Sequence, residues 1–277
     1  MVWASFALLA TLAGPVPPLQ LVAMSFGVSF GATLALWLWR GAPVIRYFRQ
    51  PTPVWALGIF SMFGYHFLYF LGIGLVPPVE VSLANSIWPL LIVLLSGLAT
   101  GEPLRWWHLA GVSAGLLGVV VLITKGFSVL SFGQGAALGY AAALGAALIW
   151  AIYSVGSRRF HRVPTETVGG FCGATALLAL GCHLALEPTV WPATPVAWLA
   201  IALLGLGPLG GAFFAWDHGM KRGNIRALSG LSYGTALLST LVLIAAGKAE
   251  ATPTVGLGCL AIVGGAVLAS RDLWRRA

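Results

Sequence analysis

Residues 54–76 read VWALGIFSMFGYHFLYFLGIGLV, a stretch of 23 residues without lysine, arginine, aspartate or glutamate. An α-helix needs about 20 predominantly apolar residues to cross the hydrocarbon core of a bilayer. The stretch is therefore predicted to be a transmembrane helix. Its centre holds Tyr65, His66 and Tyr69, and polar groups at that depth are costly unless they face the protein interior.

The rest of the chain has the same character. Of 277 residues, 59% are hydrophobic and 8% are charged, with a mean hydropathy of +0.93, whereas a soluble domain carries about 25% charged residues. We predict an all-α membrane protein with ten spans, and the first span is short. The predicted spans are residues 1–14, 16–38, 54–76, 78–99, 105–124, 136–156, 164–186, 194–217, 225–247 and 253–270.

The basic residues predict the orientation of these spans, since short cytoplasmic loops are enriched in lysine and arginine. With both termini in the cytoplasm, 13 of the 15 basic residues fall inside, and only Lys125 and Lys248 fall outside. The net charge of +8 then belongs to loops beside the membrane. It indicates no nucleic-acid partner, because no soluble basic domain is present.

The chain is predicted to contain two copies of one five-span unit, residues 1–126 and 127–277. A shift of 147 residues superimposes identical residues along the length, including Trp3 on Trp150, Gly64 on Gly211 and Ser82 on Ser229. Because five is an odd number, the second copy crosses the membrane in the opposite sense. Inverted repeats are typical of transporters that bind a substrate near the midplane and alternate between two conformations.

These features resemble the drug/metabolite transporter superfamily, specifically its EamA-like ten-helix branch. The resemblance is carried by the tandem repeat and by motifs along it: Trp3-Ala4 and Trp150-Ala151, Pro17-Pro18 and Pro164, Pro89, and Gly101-Glu102-Pro103. It implies export of a small metabolite across the bacterial inner membrane. The many tryptophans and tyrosines are similar to those of bacterial exporters of aromatic amino acids.

The chain also departs from the family pattern in two places. The second copy has Lys248-Ala249-Glu250 where the first has its Gly-Glu pair, and span two has Met24-Ser25-Phe26 where the family often has an arginine. The missing arginine disfavours a phosphorylated substrate.

Aromatic and small polar residues near the predicted membrane centre are the candidate substrate-binding residues. Aromatic rings offer stacking and cation–π contacts, and the small polar groups could hold the two ends of a zwitterionic amino acid. Packing within the bundle is the alternative role for each of them. The candidates are Tyr65, His66, Tyr69, Ser82, Asn85, Trp88, Trp150, Tyr153, Ser229, Ser232 and Tyr233.

Ionisable groups are scarce in the spans. Glu80 lies in the first turn of a predicted helix, where the helix dipole stabilises an anion, and Asp217 lies four residues before Lys221, which predicts a local ion pair. His66 is the deep group that could link transport to protons. The spacing of metal ligands is absent from the carboxylates and from the three cysteines, Cys172, Cys182 and Cys259. We therefore expect no metal and no other cofactor.

Helix-breaking residues predict where the spans bend. Pro89 in span four and Gly207-Pro208 in span eight are the candidate hinges, because such residues kink helices and free backbone carbonyls. Close packing of helices is the alternative role of the glycines.

Together these observations predict export of aromatic and other neutral amino acids by alternating access through a central cavity, with aromatic cations as further candidate substrates. The expected partners are the amino acid and the lipid bilayer. No ATPase subunit is indicated, since no GxxxxGK[ST] motif occurs. The alternatives are export of another metabolite such as a nucleobase, a channel, and an intramembrane serine hydrolase that uses the GxSxG sequence around Ser232.

Overall fold

The structure is a computed structural model that describes residues 2–100, 104–123, 136–245, 252–269 and 271. These residues form helices and loops, and no β-strand occurs among them. Several predictions concern residues outside the described set: the motif Gly101-Glu102-Pro103, Lys125, the repeat boundary at 126 and 127, and the sequence Lys248-Ala249-Glu250.

The α-helices follow one another with short connections. In chain order they are α1 (Phe6–Leu12), α2 (Pro18–Trp39), α3 (Val44–Phe48), α4 (Thr52–Ile73), α5 (Pro78–Asn85), α6 (Trp88–Thr100), α7 (Trp106–Ile123), α8 (Ala136–Gly156), α9 (Thr167–Leu186), α10 (Pro195–Leu206), α11 (Ala212–Arg222), α12 (Ile225–Ser232), α13 (Gly234–Ala245) and α14 (Pro253–Ala269). Short 3-10 helices cover Val2–Ser5 and Ser157–Phe160, and a π-helix covers Gly207–Gly211.

Six helical stretches are long and apolar enough to cross a membrane. They are Pro18–Trp39, Thr52–Ile73, Glu80–Ala99, Ala137–Phe160, Thr167–Leu186 and Pro195–Arg222. Shorter apolar helices cover Val2–Leu12, Trp106–Val121 and Pro253–Ala269. The prediction of an all-helical, multi-pass membrane protein is thereby confirmed, whereas the count of ten spans stays a prediction.

Two of the predicted spans are each built from two helices. Span four breaks at Ser86 and Ile87, between α5 and α6. The break has a local cause: Pro89 has no N–H to donate to the carbonyl of Asn85, four residues earlier. Span nine breaks at Tyr233, between α12 and α13, where the Tyr233 N–H bonds to the Gly230 carbonyl.

Contacts along the chain define two compact units. Unit A contains residues 2–70 and 156–222, and unit B contains residues 71–155 and 223–277. Each unit draws on both halves of the sequence, so the units are not the predicted repeats. The repeats themselves stay a prediction.

Unit A is built around α2, which packs against α9 and α10. Its core includes Ala13, Val16, Leu21, Ile201 and Leu204. A Cβ atom at Gly205 of α10 would collide with the Ser25 carbonyl of α2. Glycine is required there because the backbones of the two helices approach each other closely.

Glu187, the residue after α9, joins the end of α9 to the start of α2. Its carboxylate accepts the N–H groups of Leu19 and Gln20 at 3.0 and 3.1 Å, and these are two of the amides that the first turn of α2 leaves unbonded. His183 lies 3.0 Å from the same carboxylate. The end of α9 is therefore bonded to the start of α2.

Unit B is built around the pair α7 and α14. Cβ atoms at Gly111 and Gly265 would each collide with backbone atoms of the opposite helix. The core beside this contact includes Val93, Val112 and Ile262. Small residues thus allow the two helices to pack backbone to backbone, as is common in membranes.

Candidate functional site

Three of the predicted site residues form one aromatic face on α4. The rings of Tyr65 and Tyr69 are stacked, with centroids 5.9 Å apart and planes 12° apart. The Tyr65 ring meets the His66 ring edge-on at 5.1 Å. Both tyrosines are half-buried, whereas His66 is buried. The spacing of four residues brought the tyrosines together, as predicted from the helical period.

His66 is held in a defined tautomer by its own helix. Its Nδ1 lies 2.6 Å from the carbonyl oxygen of Met62, and since a carbonyl can only accept, Nδ1 carries the proton and donates. In the neutral ring Nε2 is then an acceptor. The imidazole therefore has one nitrogen fixed by the helix and one that can accept a further hydrogen bond.

Two phenylalanines that are not among the predicted site residues enclose His66. Phe26 of α2 meets the imidazole edge-on with centroids 5.1 Å apart, and Phe213 of α11 meets it at 6.0 Å. Phe26 and Phe213 also contact each other at 5.8 Å. Helices α2, α4 and α11 thus meet around one histidine. No polar signal marked either phenylalanine, so only the fold identifies them.

The predicted hinge at Gly207 and Pro208 lies in the π-helix between α10 and α11. Gly207 has φ −99° and ψ −98°, which is far from the α-helical values of about −63° and −42°. π-helical turns inside α-helices are often found at functional sites. The other predicted hinge residue, Pro89, is buried next to the break between α5 and α6. Whether these positions move stays a prediction.

In unit B, Trp150 and Tyr153 of α8 form a second aromatic pair. Their rings are stacked with centroids 5.3 Å apart, and both side chains are buried, at 4% and 1% exposure. The Ser154 hydroxyl donates to the Trp150 carbonyl at 2.8 Å. Trp150 and Tyr153 are therefore brought together by their spacing along one helix.

The remaining candidates of unit B cluster at the two helix breaks. Asn85 ends α5 and Trp88 begins α6, and the Ser86 hydroxyl between them donates to the Ser82 carbonyl at 2.6 Å. Asn85 is buried, whereas Ser82 and Trp88 are half-buried. The first break thus has predicted site residues on both sides.

At the second break, the predicted site residues bond to backbone carbonyls or pack in the hydrophobic core. The hydroxyls of Ser229 and Ser232 donate to the carbonyls of Ile225 and Ser229, at 2.7 and 2.5 Å. Tyr233 packs in the hydrophobic core of unit B, against Gly115, where a Cβ atom would collide with its ring. This geometry favours packing for Tyr233. That all eleven candidates line one cavity stays a prediction.

The acidic residues have local partners. Asp217 accepts from Lys221 at 2.8 Å and from the Thr165 hydroxyl at 2.8 Å, so the predicted ion pair is confirmed. Glu80 is buried and accepts a hydrogen bond of 2.6 Å from the Tyr140 hydroxyl, a partner 60 residues away that sequence spacing does not indicate.

Comparison with known proteins identifies the family. The family model described as the EamA-like transporter family matches residues 1–124 and 137–271. The chain belongs to this family. The EamA-like chain is 47% identical, over 270 residues, to the aromatic amino acid exporter YddG of Ancylobacter novellus, a match covering 98% of this chain and 93% of that protein.

Further relatives of the EamA-like chain are more distant. It is 28% identical to the aromatic amino acid exporter YddG of Escherichia coli, over 69% of this chain and 66% of that one. It is 24% identical to a Bacillus subtilis protein described as the uncharacterized transporter YyaM, over 79% and 73%. A solved crystal structure at 47% identity covers 100% of this chain and 95% of its own, with a TM-score of 0.91.

The EamA-like chain is a membrane transporter and not an enzyme. The hydrolase alternative required Ser232 to lie in a turn between a strand and a helix. Ser232 instead ends the helix α12, and α13 begins two residues later. The GxSxG sequence here is a helix break with small residues.

Proposed function

We propose that this transporter exports aromatic and other neutral amino acids across the bacterial inner membrane by alternating access. The observation that carries the proposal is the α4 face of Tyr65, His66 and Tyr69. Stacked half-buried rings beside a buried imidazole suit a flat apolar side chain on a zwitterionic backbone. The relatives described as aromatic amino acid exporters support the same substrate class.

His66 is assigned the role of a hydrogen-bond acceptor for the substrate. Its Nδ1 is used by the Met62 carbonyl, so Nε2 is the nitrogen that can receive a donor. The ammonium group of an amino acid, or the indole N–H of tryptophan, is such a donor. A histidine fixed by its own helix needs little reorganisation to bind, which favours affinity.

Ten spans arranged as two inverted repeats complete the proposal. The helix bounds support it: a shift of 147 residues places α5 on residues 225–232, which are the bounds of α12, and places α7 on residues 253–270, against Pro253–Ala269 for α14. The family model matches one segment in each copy. Cytoplasmic termini are supported by the distribution of arginine and lysine, because 13 of the 15 basic residues then lie on the cytoplasmic side.

The π-helix and the two broken spans are the proposed bending points. Replacing Gly207 and Pro208 by alanine is expected to slow exchange without abolishing binding, because a regular α-helix would remove the bend. Turnover equal to that of the unaltered transporter would count against the hinge. Circular dichroism and gel filtration of the variant control for folding.

The substrate is tested with purified protein in liposomes. Labelled phenylalanine should exchange across the membrane, and unlabelled tyrosine and tryptophan should compete better than glycine. Adenine and uracil test the alternative of a nucleobase exporter. The assay is run with and without a pH gradient, which separates proton coupling from facilitated diffusion. If no amino acid exchanges or competes, the proposed substrate class is wrong.

The α4 face is tested by variants in the same assay. Changing Tyr65 or His66 to alanine should reduce phenylalanine exchange with the protein still folded and inserted. Phe60, which is 55% exposed on the same helix, offers a matched control: Phe60→Ala should leave exchange unchanged. An equal effect of all three changes would indicate damage to the helix and would exclude a specific site.

A further inference from the structure

Trp3, near the start of the chain, bonds to the second residue of the π-helix. The Trp3 indole Nε1 donates to the carbonyl oxygen of Pro208 at 2.9 Å, across 205 residues of sequence. A π-helix leaves carbonyls without their usual partners, and an unbonded carbonyl inside a membrane protein costs free energy. Trp3 supplies a side-chain donor to one carbonyl of the π-helix.

The ring of Trp3 also contacts the helix that follows the π-helix. It meets Phe213 with centroids 6.0 Å apart and Trp216 with centroids 5.3 Å apart. Both residues belong to α11. One side chain therefore holds the π-helix through its N–H and α11 through its ring.

The helix that follows Trp3 contacts the other side of the break. Phe6, Leu9 and Ala10 of α1 pack against the core that contains Ile201 and Leu204 of α10. The segment from Val2 to Leu12 thus lies against α10 through α1, and against the π-helix and α11 through Trp3. The segment therefore contacts the helices on both sides of the π-helix.

The π-helix has little freedom to shift on its α2 side. A Cβ atom at Gly210 would lie 2.7 Å from the Ser29 hydroxyl of α2, so the backbone is already in close contact there. Trp3, in the 3-10 helix before α1, bonds to the π-helix and contacts α11, and is a second support beside α2. Phe213, just past the π-helix, contacts both Trp3 and His66.

We propose that Trp3 is a positioning residue that fixes the bend of the π-helix relative to α11. This inference rests on the proposed transport function for its kinetic consequence, but its structural consequence can be measured without any substrate. In variants of Trp3, we expect turnover to fall by a larger factor than the affinity for the substrate. The reason is that Trp3 holds the bend of the π-helix and does not contact the substrate.

The structural test is hydrogen–deuterium exchange of residues 207–216 in Trp3→Phe and Trp3→Ala. Removing one hydrogen bond should speed exchange of these amides about fivefold in both variants, and more in Trp3→Ala, which also lacks the ring. Amides in the middle of α2 should be unaffected. Trp39→Phe is the matched control, since Trp39 is in the same unit and 82% exposed.

The kinetic test uses the same variants in the phenylalanine exchange assay. Turnover should fall about fivefold in Trp3→Phe, in proportion to the lost bond, with the Kd for phenylalanine changed less than twofold. Unaltered amide exchange in both folded variants would overturn the proposal. Faster exchange in Trp3→Ala alone would overturn the role of the hydrogen bond. If no amino acid is transported, the proposed function fails, and amide exchange still decides the role of Trp3.

Discussion

Removal of the Glu187 carboxylate should destabilise unit A more than is usual for a substitution outside the membrane spans. The carboxylate accepts two backbone N–H groups of α2, from Leu19 and Gln20. Losing a helix cap costs about 1 kcal/mol, with a range of roughly 0.5–2 kcal/mol. Glu187 is 17% exposed and His183 is 2% exposed, so this cap is shielded from water.

His183 adds to this cost. Its Nδ1 donates to Glu187, and its Nε2 lies 3.0 Å from the Thr189 hydroxyl. In Glu187→Ala the Nδ1 donor is left buried without its acceptor, which costs about 1–3 kcal/mol. The total loss is therefore about 2–4 kcal/mol. Glu187→Gln keeps an acceptor for part of this network and should lose about 1 kcal/mol.

The assay is thermal unfolding of the purified transporter in detergent, followed by tryptophan fluorescence. Glu187→Ala should lower the unfolding temperature by roughly 5–10 °C, and Glu187→Gln by a few degrees. Glu166→Ala is the control, because Glu166 precedes α9 without a side-chain cap hydrogen bond. An unfolding temperature within 1 °C of the control for Glu187→Ala would refute the energetic role of the cap.

Three further changes test the site and the packing. His66→Gln, which keeps an acceptor, should retain more phenylalanine exchange than His66→Leu, which should lose about tenfold because one substrate hydrogen bond is removed; equal losses would contradict the acceptor role. Gly205→Ala should cost about 1–3 kcal/mol of stability, since its Cβ would collide with α2, whereas Gly181→Ala, with open space around it, should cost nothing in thermal unfolding. Tyr140→Phe should lower the unfolding temperature, because buried Glu80 loses a hydrogen bond; no change would show that this bond contributes no net stability.

The sequence predicted the six long apolar helices because the bilayer imposes a simple condition. Every backbone group in lipid must bond within its own helix or a closed barrel, so long uncharged stretches such as residues 54–76 can only be helices. Prolines likewise located the break beside Pro89 and the bend at Pro208. The break at Tyr233 has no proline, and the sequence interpretation treated residues 225–247 as one helix.

The contacts that join distant segments were not predictable from spacing. Phe26 and Phe213 enclose His66, yet a phenylalanine in a chain with 14 of them carries no signal that distinguishes a site from a core. Glu187 lies just past the predicted span 164–186, and nothing in the neighbouring sequence indicates that the start of α2 lies beside it. Such pairings depend on which helices pack together, and that is fixed by tertiary structure.

The proposed repeat also shows why similar sequence need not give similar local structure. A shift of 147 residues places α4 on residues 199–220, which contain most of α10 and α11 and the whole π-helix between them. Helix α4 is unbroken, with Phe60-Ser61 at the positions that correspond to Gly207-Pro208. Both Phe60 and Ser61 have an N–H for the α-helical ladder, whereas Pro208 has none and its ring crowds the preceding turn. The proline therefore causes a bend in the proposed second copy that the first copy lacks. A transporter whose copies exchanged conformations completely would need the same flexibility in both, so under the proposed repeat the asymmetry at this position would give the two copies different mechanical roles. Trp3 bonds to Pro208 at the bend, and Trp150, which corresponds to Trp3 under the same shift, stacks on Tyr153 of α8.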